Sequence, residues 1–217
     1  MLKKLFIYLD NKMKGIYILI TTLMLSLNLN AQCILDDEIV VAPAPVGGTY
    51  QAGQTITFTY TINDYQEQPT FNWFHGMAVI LGAGWDATTL TPFGIPTNNT
   101  GTGVWLWVNM VQSSATGLIV NNSGWFYDTN SGGALDGNPG NNWGDGFVGP
   151  WTFQFQVTVG DCPPNTNGDD LSIIIENYAD GETGSWINLD CQADPNETFN
   201  ATLECCPPII TGNITHN

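Results

Sequence analysis

Two stretches of this chain alternate strictly between apolar and polar side chains, and that periodicity restricts the fold more than any other feature. In Thr55–Ile62 every second residue is apolar and the rest are threonine, while Trp151–Val159 repeats the pattern with threonine and glutamine. A period of two puts one set of side chains on each face of an extended strand, so each stretch reads as a strand with one buried and one wet face. Further strands are predicted at Ile39–Val41, Asn72–Leu81, Val104–Val111, Gly117–Val120, Trp125–Tyr127, Leu171–Glu176 and Ser185–Leu189. They are β-branched and aromatic, and clusters of Gly, Asn, Pro and Asp separate them. No amphipathic helix pattern is present after residue 32. The expectation is an all-β fold, an antiparallel β-sandwich of jelly-roll or Ig-like type.

The first 32 residues are of a different kind. Met13-Lys14, the apolar run Gly15–Leu27 and then Asn28-Leu29-Asn30-Ala31-Gln32 have the three regions of a secretory signal-peptide helix, with cleavage after Ala31 or Gln32. Met13 is an alternative start. An apolar run of about 13 residues is shorter than the roughly 20 that a spanning helix needs. Gln32 stands where a lipoprotein signal wants a small residue, which argues against lipidation at Cys33. The organisation expected is a signal peptide at 1–32, a β-sandwich domain at 33–206, and at 207–217 a linker with the first strand of a truncated following repeat. Asn121–Pro150, rich in Gly, Asn and Asp around Trp125 and Trp143, is expected to be a long ordered loop or an inserted hairpin.

Charge excludes whole classes of function. All four basic residues, Lys3, Lys4, Lys12 and Lys14, lie in the first 14 positions, and of 20 acids only Asp10 lies before residue 33. The remaining 19 carboxylates have no lysine or arginine to pair with. A domain of this kind has no clamp for phosphate and no counter-charge for a nucleic-acid backbone. Nucleic acids and nucleotides are therefore excluded as partners, and the mature chain is expected to have no membrane span. In an exported protein, Cys33, Cys162, Cys191, Cys205 and Cys206 are disulfide candidates, with one thiol left over. Vicinal Cys205-Cys206 and two distant histidines do not have zinc-ligand spacing.

Three kinds of site residue stand out. Asp169, Asp170, Asp180 and Glu182 sit in turns rich in oxygen donors and glycine, Asn165–Asp170 and Asp180–Glu182, and calcium is the cofactor such turns would take. The same composition also makes an ordinary solvated turn. Among eight tryptophans, Trp105 and Trp107 share one strand face and suit core packing, whereas Trp125 and Trp143 fall in the Gly/Asn-rich segment and, with Asp145, are the candidates for ligand contact. His75, in an apolar stretch, reads as a structural histidine. No nucleophile elbow, HExxH or Cys/His arrangement is present, so no catalytic residue is assigned and no enzyme is expected.

Several longer motifs carry a resemblance. Asn72-Trp73-Phe74-His75-Gly76, Gly84-Trp85-Asp86, Asn142-Trp143-Gly144-Asp145-Gly146, Gly149-Pro150-Trp151-Thr152-Phe153 and Ala179–Trp186, with the signal ending Asn-Ala-Gln, resemble the N-terminal module of large Bacteroidota surface proteins. Those proteins often carry a gliding-motility-associated C-terminal domain and use type IX secretion. Pro207–Asn213 is similar to the start of the Ig-like or PKD-like repeats that follow such modules. The resemblance implies a secreted, extracellular or cell-surface location and a role in adhesion or ligand display, with glycans or extracellular matrix components as partners. A carbohydrate-binding module, calcium-dependent or not, is the alternative. A secreted glycosidase is the third reading and would need two special carboxylates.

Overall fold

The computed structural model describes residues 33–66, 72–97, 103–129, 135–146, 149–162, 169–187 and 196–205. The predicted signal and the tail 207–217 lie outside these residues. The chain forms β1 (Ile34–Ala42), β2 (Thr49–Gln51), β3 (Thr55–Tyr65), β4 (Phe74–Leu81), β5 (Trp85–Pro92), β6 (Val104–Val108), β7 (Val111–Gln112), β8 (Ile119–Val120) and β9 (Gly124–Asp128). After a single 3₁₀ turn at Pro139–Asn141 come β10 (Trp151–Val159), β11 (Ile173–Ala179), a one-turn helix α1 (Asp180–Thr183), β12 (Glu197–Phe199) and β13 (Thr202–Glu204). One antiparallel sheet has the order β1-β3-β10-β5 and the other β12-β11-β4-β9-β6. Two short pairs complete the fold, parallel β13-β2 and antiparallel β7-β8.

The alternating strands behave as their period demands. Ile56, Phe58, Tyr60 and Ile62 of β3 and Trp151, Phe153, Phe155, Val157 and Val159 of β10 all point into the core. The facing sheet answers with aromatic rings: Phe74 lies 5.1 Å from Trp151, Trp105 packs edge-on against Phe153 at 4.8 Å, and Phe199 meets Phe58 at 5.3 Å. Aromatic pairs at these distances each add about 0.5–1.5 kcal/mol beyond the area they bury. The two sheets thus enclose one apolar interior, as a sandwich requires. The wet face of β3 and β10 satisfies itself with a cross-strand ladder. Gln156 Nε2 donates to Thr57 Oγ1 (2.8 Å), Gln154 Nε2 to Thr59 Oγ1 (3.0 Å), and Thr55 pairs with Thr158 (3.0 Å).

On β4 the period breaks. Phe74 pairs with Ala179 but Gly76 pairs with Tyr178, so His75 is an extra residue, a β-bulge. The bulge lets both Phe74 and Met77 face the core and turns His75 onto the opposite side of the sheet. There, Val111 and Val120 of the β7-β8 pair cover Ala78 and Phe126 in a second apolar cluster.

Two expectations need correction. Ser185–Ile187 is not a strand; it follows α1 as irregular backbone, while 188–189 lie outside the described residues. Trp85–Pro92, an edge strand with a largely polar face, was not anticipated. Cys162, just after β10, is joined to Cys205, just after β13, with Cα atoms 5.5 Å apart. Cys33 is also disulfide-bonded, and Cys191 and Cys206 lie outside the described residues. Among the described residues no helix is long and apolar enough to cross a membrane.

Candidate functional site

Where β4 begins and β11 ends, three loops meet. Trp73 immediately precedes β4, Trp143 follows the 3₁₀ turn, and Trp186 follows α1. Their indoles and Asp180 line a cavity of about 300 Å³. Trp73 and Trp143 are 5.6 Å apart at 62°, and Trp143 and Trp186 are 6.2 Å apart at 83°. The rings therefore stand as inclined walls and not as one flat platform. Trp143 is 40% exposed and Trp186 38%.

The backbone beneath holds these walls in place. Asp145 N donates to Phe74 O (2.9 Å), Asp180 N to Trp73 O (3.0 Å) and Ser185 N to Asn142 O (2.8 Å), so each loop is tied to another. Gly144 sits at the crossing. A Cβ there would stand 2.5 Å from Phe74 O and 2.7 Å from Trp73 O, closer than atoms approach. Only glycine lets the Trp143 loop lie against the Trp73 strand end.

With no lysine or arginine at hand, the buried carboxylates are held by neutral donors. Asp145, only 1% exposed, accepts from Trp151 Nε1 (3.0 Å). Asp180, 2% exposed, accepts from Gly144 N at 3.4 Å. Asp128 accepts from Gly137 N (2.8 Å) and Asn142 Nδ2 (3.1 Å), and burial pushes its carboxyl above the usual range. Such charge-assisted hydrogen bonds supply what a salt bridge would otherwise provide.

His75 clamps the site from behind. Its Nε2–H donates to Pro139 O (3.0 Å), and its Nδ1 accepts from the Thr183 hydroxyl (2.8 Å). The first contact fixes the tautomer, since a carbonyl only accepts. Complete burial lowers its pKa to about 4, so the ring is neutral at pH 7 and acts as a structural link between β4, the 3₁₀ turn and α1.

The predicted site residues separate accordingly. Trp143 is a cavity wall. Asp145 lies beneath it as an anchor for Trp151 and has no exposed face. Trp125 is corrected: it belongs to β9, is 5% exposed, packs edge-on against Trp107 and donates its Nε1–H to Gln154 O (3.0 Å). It is a core residue that bridges the sheets and cannot contact a ligand. Trp105 and Trp107 pack inward, as their spacing suggested. Of the calcium candidates, Asp180 and Glu182 lie on α1, whereas Asp169 and Asp170 are exposed just before β11; Asp170 Oδ1 caps Ser172 N (2.8 Å). Among the described residues no group of three or more His, Cys, Asp or Glu is arranged to hold a metal. Trp73, Trp186 and the place of Asp180 in the cavity were missed. The available signal was that Trp73, Trp143 and Trp186 each interrupt the alternating pattern within an Asn- or Gly-bounded motif.

A second acidic contact lies across the sheet edges. The carboxyl groups of Asp37 on β1 and Glu197 on β12 are hydrogen-bonded to each other, and Tyr60 Oη donates to Asp37 Oδ2 (2.6 Å). Burial, first, raises both carboxyl pKa values; the like charge of Asp36 adds to it at Asp37, and that of Asp37 adds to it at Glu197. Carboxyls in direct contact lack the separation of about 5 Å or more that glycoside hydrolysis uses.

Comparison with protein-family models, curated proteins and solved structures finds no match. The likeness to Bacteroidota surface modules accordingly rests on the sequence motifs alone.

Proposed function

We propose that this chain is a non-enzymatic extracellular or cell-surface module for ligand capture and adhesion, with the tryptophan cavity as its contact point. The observation that carries the reading is the cavity itself: three indoles from three separate loops, two of them substantially exposed, around a space of about 300 Å³. Exposed aromatic surface concentrated in one concave place is a usual mark of a binding site. A rigid β-sandwich carrying its contact residues on end loops fits that role. The Cys162–Cys205 disulfide and the lack of a membrane-crossing helix among the described residues are compatible with an extracellular location.

Retention of the purified chain on an array of immobilised glycans, matrix proteins and small organic ligands tests the proposal. Trp143→Ala and Trp186→Ala should each reduce retention at least fivefold with β-sheet circular dichroism unchanged, because both indoles are partly exposed and lie outside the core between the sheets. Equal retention of the native protein and both variants on every surface would remove the cavity from the function.

A further inference from the structure

The geometry points to a compact organic cation, a quaternary or methylated ammonium group of the choline type, as the ligand of the tryptophan cavity. The inference rests on the ligand-capture reading above and names the chemistry that the cavity selects.

The first argument is the angle between the rings. A sugar stacks by laying its face on an indole, and an extended glycan profits from several indoles in one plane. Here successive indoles are inclined at 62° and 83°. The two contacts are edge-to-face, with centroids 5.6 and 6.2 Å apart, so the indoles stand inclined around the cavity they line and offer it no flat stacking platform. The π-face of an indole is its electronegative side, so the group best stabilised there is a cation within about 6 Å of the ring centroids.

The second argument is charge. Asp180 lines the same cavity and is almost wholly buried, so its carboxyl is the acidic group a guest would meet there, and a bound cation would favour its ionised form. Residues 15–217 contain no lysine and no arginine, so the folded domain has neither side chain with which to fill its own cage. The net charge of −16 for the whole chain adds a long-range attraction for cations.

The third argument is size and what the cavity lacks. A space of about 300 Å³ is at the lower end of the range for small-molecule pockets and suits a group of headgroup size. With no basic residue to hold an attached phosphate, phosphocholine should bind no more tightly than choline.

Calorimetric titration of the full chain tests the inference, using choline, its neutral isostere 3,3-dimethylbutan-1-ol, phosphocholine and a neutral oligosaccharide. Choline should bind at least tenfold more tightly than the isostere, and Trp143→Ala or Trp186→Ala should weaken it at least tenfold with β-sheet circular dichroism unchanged. Asp180→Asn, which keeps the side-chain shape, should weaken choline at least fivefold and leave the isostere unchanged. Equal binding of choline and the isostere, or Trp143-dependent binding of the oligosaccharide in place of choline, would overturn the cationic assignment while leaving the cavity as the contact point. If choline gives no heat and the tryptophan variants still lose retention on the array, the cation falls and ligand capture stands. If those variants alter neither measurement, both fall.

Discussion

At the scale of single residues, a buried histidine and a pair of carboxyl groups make opposite contributions to stability. His75 is neutral in the folded protein, with its pKa lowered to about 4 by burial, against about 6.5 in an unfolded chain. Below pH 6.5 the unfolded state takes up the proton first, so stability falls as pH drops from 6.5 towards 4. The full effect is on the order of 3 kcal/mol. We expect the pH profile of unfolding free energy for His75→Gln to be flatter than that of the native protein across this window, read by urea denaturation. Asp37 and Glu197 act the other way. Their folded pKa values are raised, so the stability they confer is fully present below the ordinary carboxylate pKa and is lost as pH rises through the folded values. Glu197→Gln keeps a hydrogen-bonding partner for Asp37 and removes one of two facing charges. It should raise the thermal midpoint at pH 7 and have little effect at pH 3.

At the scale of elements, β3 and β10 were legible because their side chains obey one period from end to end. The bulge on β4 was not, since one inserted residue at His75 reverses the faces and mixes the pattern of Asn72–Leu81. Trp85–Pro92 escaped notice for a related reason: at a sheet edge the polar face extends over most of its length. The cavity was visible only as separate words. Trp143 could be singled out within its own motif, but its neighbours Trp73 and Trp186 are brought beside it by backbone contacts that no local pattern encodes. Trp125 shows the converse, a tryptophan in a polar stretch that a strand carries into the core. Gly144→Ala tests whether the loop crossing positions the cage. The new methyl would force the Trp143 loop away from Phe74 O and Trp73 O, at a cost of about 1–3 kcal/mol of stability. The expected outcome is ligand retention reduced as far as by Trp143→Ala, with β-sheet circular dichroism unchanged. The disulfide joining the ends of β10 and β13 spans 43 positions, and in a chain-entropy model its removal by a Cys162→Ser, Cys205→Ser double substitution costs about 4 kcal/mol. Guanidinium unfolding of the double variant checks that figure.

For the molecule as a whole, charge is one-sided. From residue 33 onward 19 carboxylates stand without a lysine or arginine, so the folded state concentrates repulsion that the expanded chain relieves. Raising sodium chloride from about 10 mM to 300 mM shortens the screening length from roughly 30 Å to below 8 Å. The thermal midpoint of the domain should rise over that range, where a protein stabilised by surface ion pairs would lose stability. The construction of the cavity adds a further consequence. Its walls at Trp73, Trp143 and Trp186 belong to three loops that approach one another only in the folded chain, so the unfolded state has no comparable place for the ligand. Occupancy and folding are therefore thermodynamically linked: a ligand at a hundred times its dissociation constant would add about 2.7 kcal/mol to stability. With a ligand bound there, the domain would become harder to unfold, and slower to be digested, for as long as the ligand stayed.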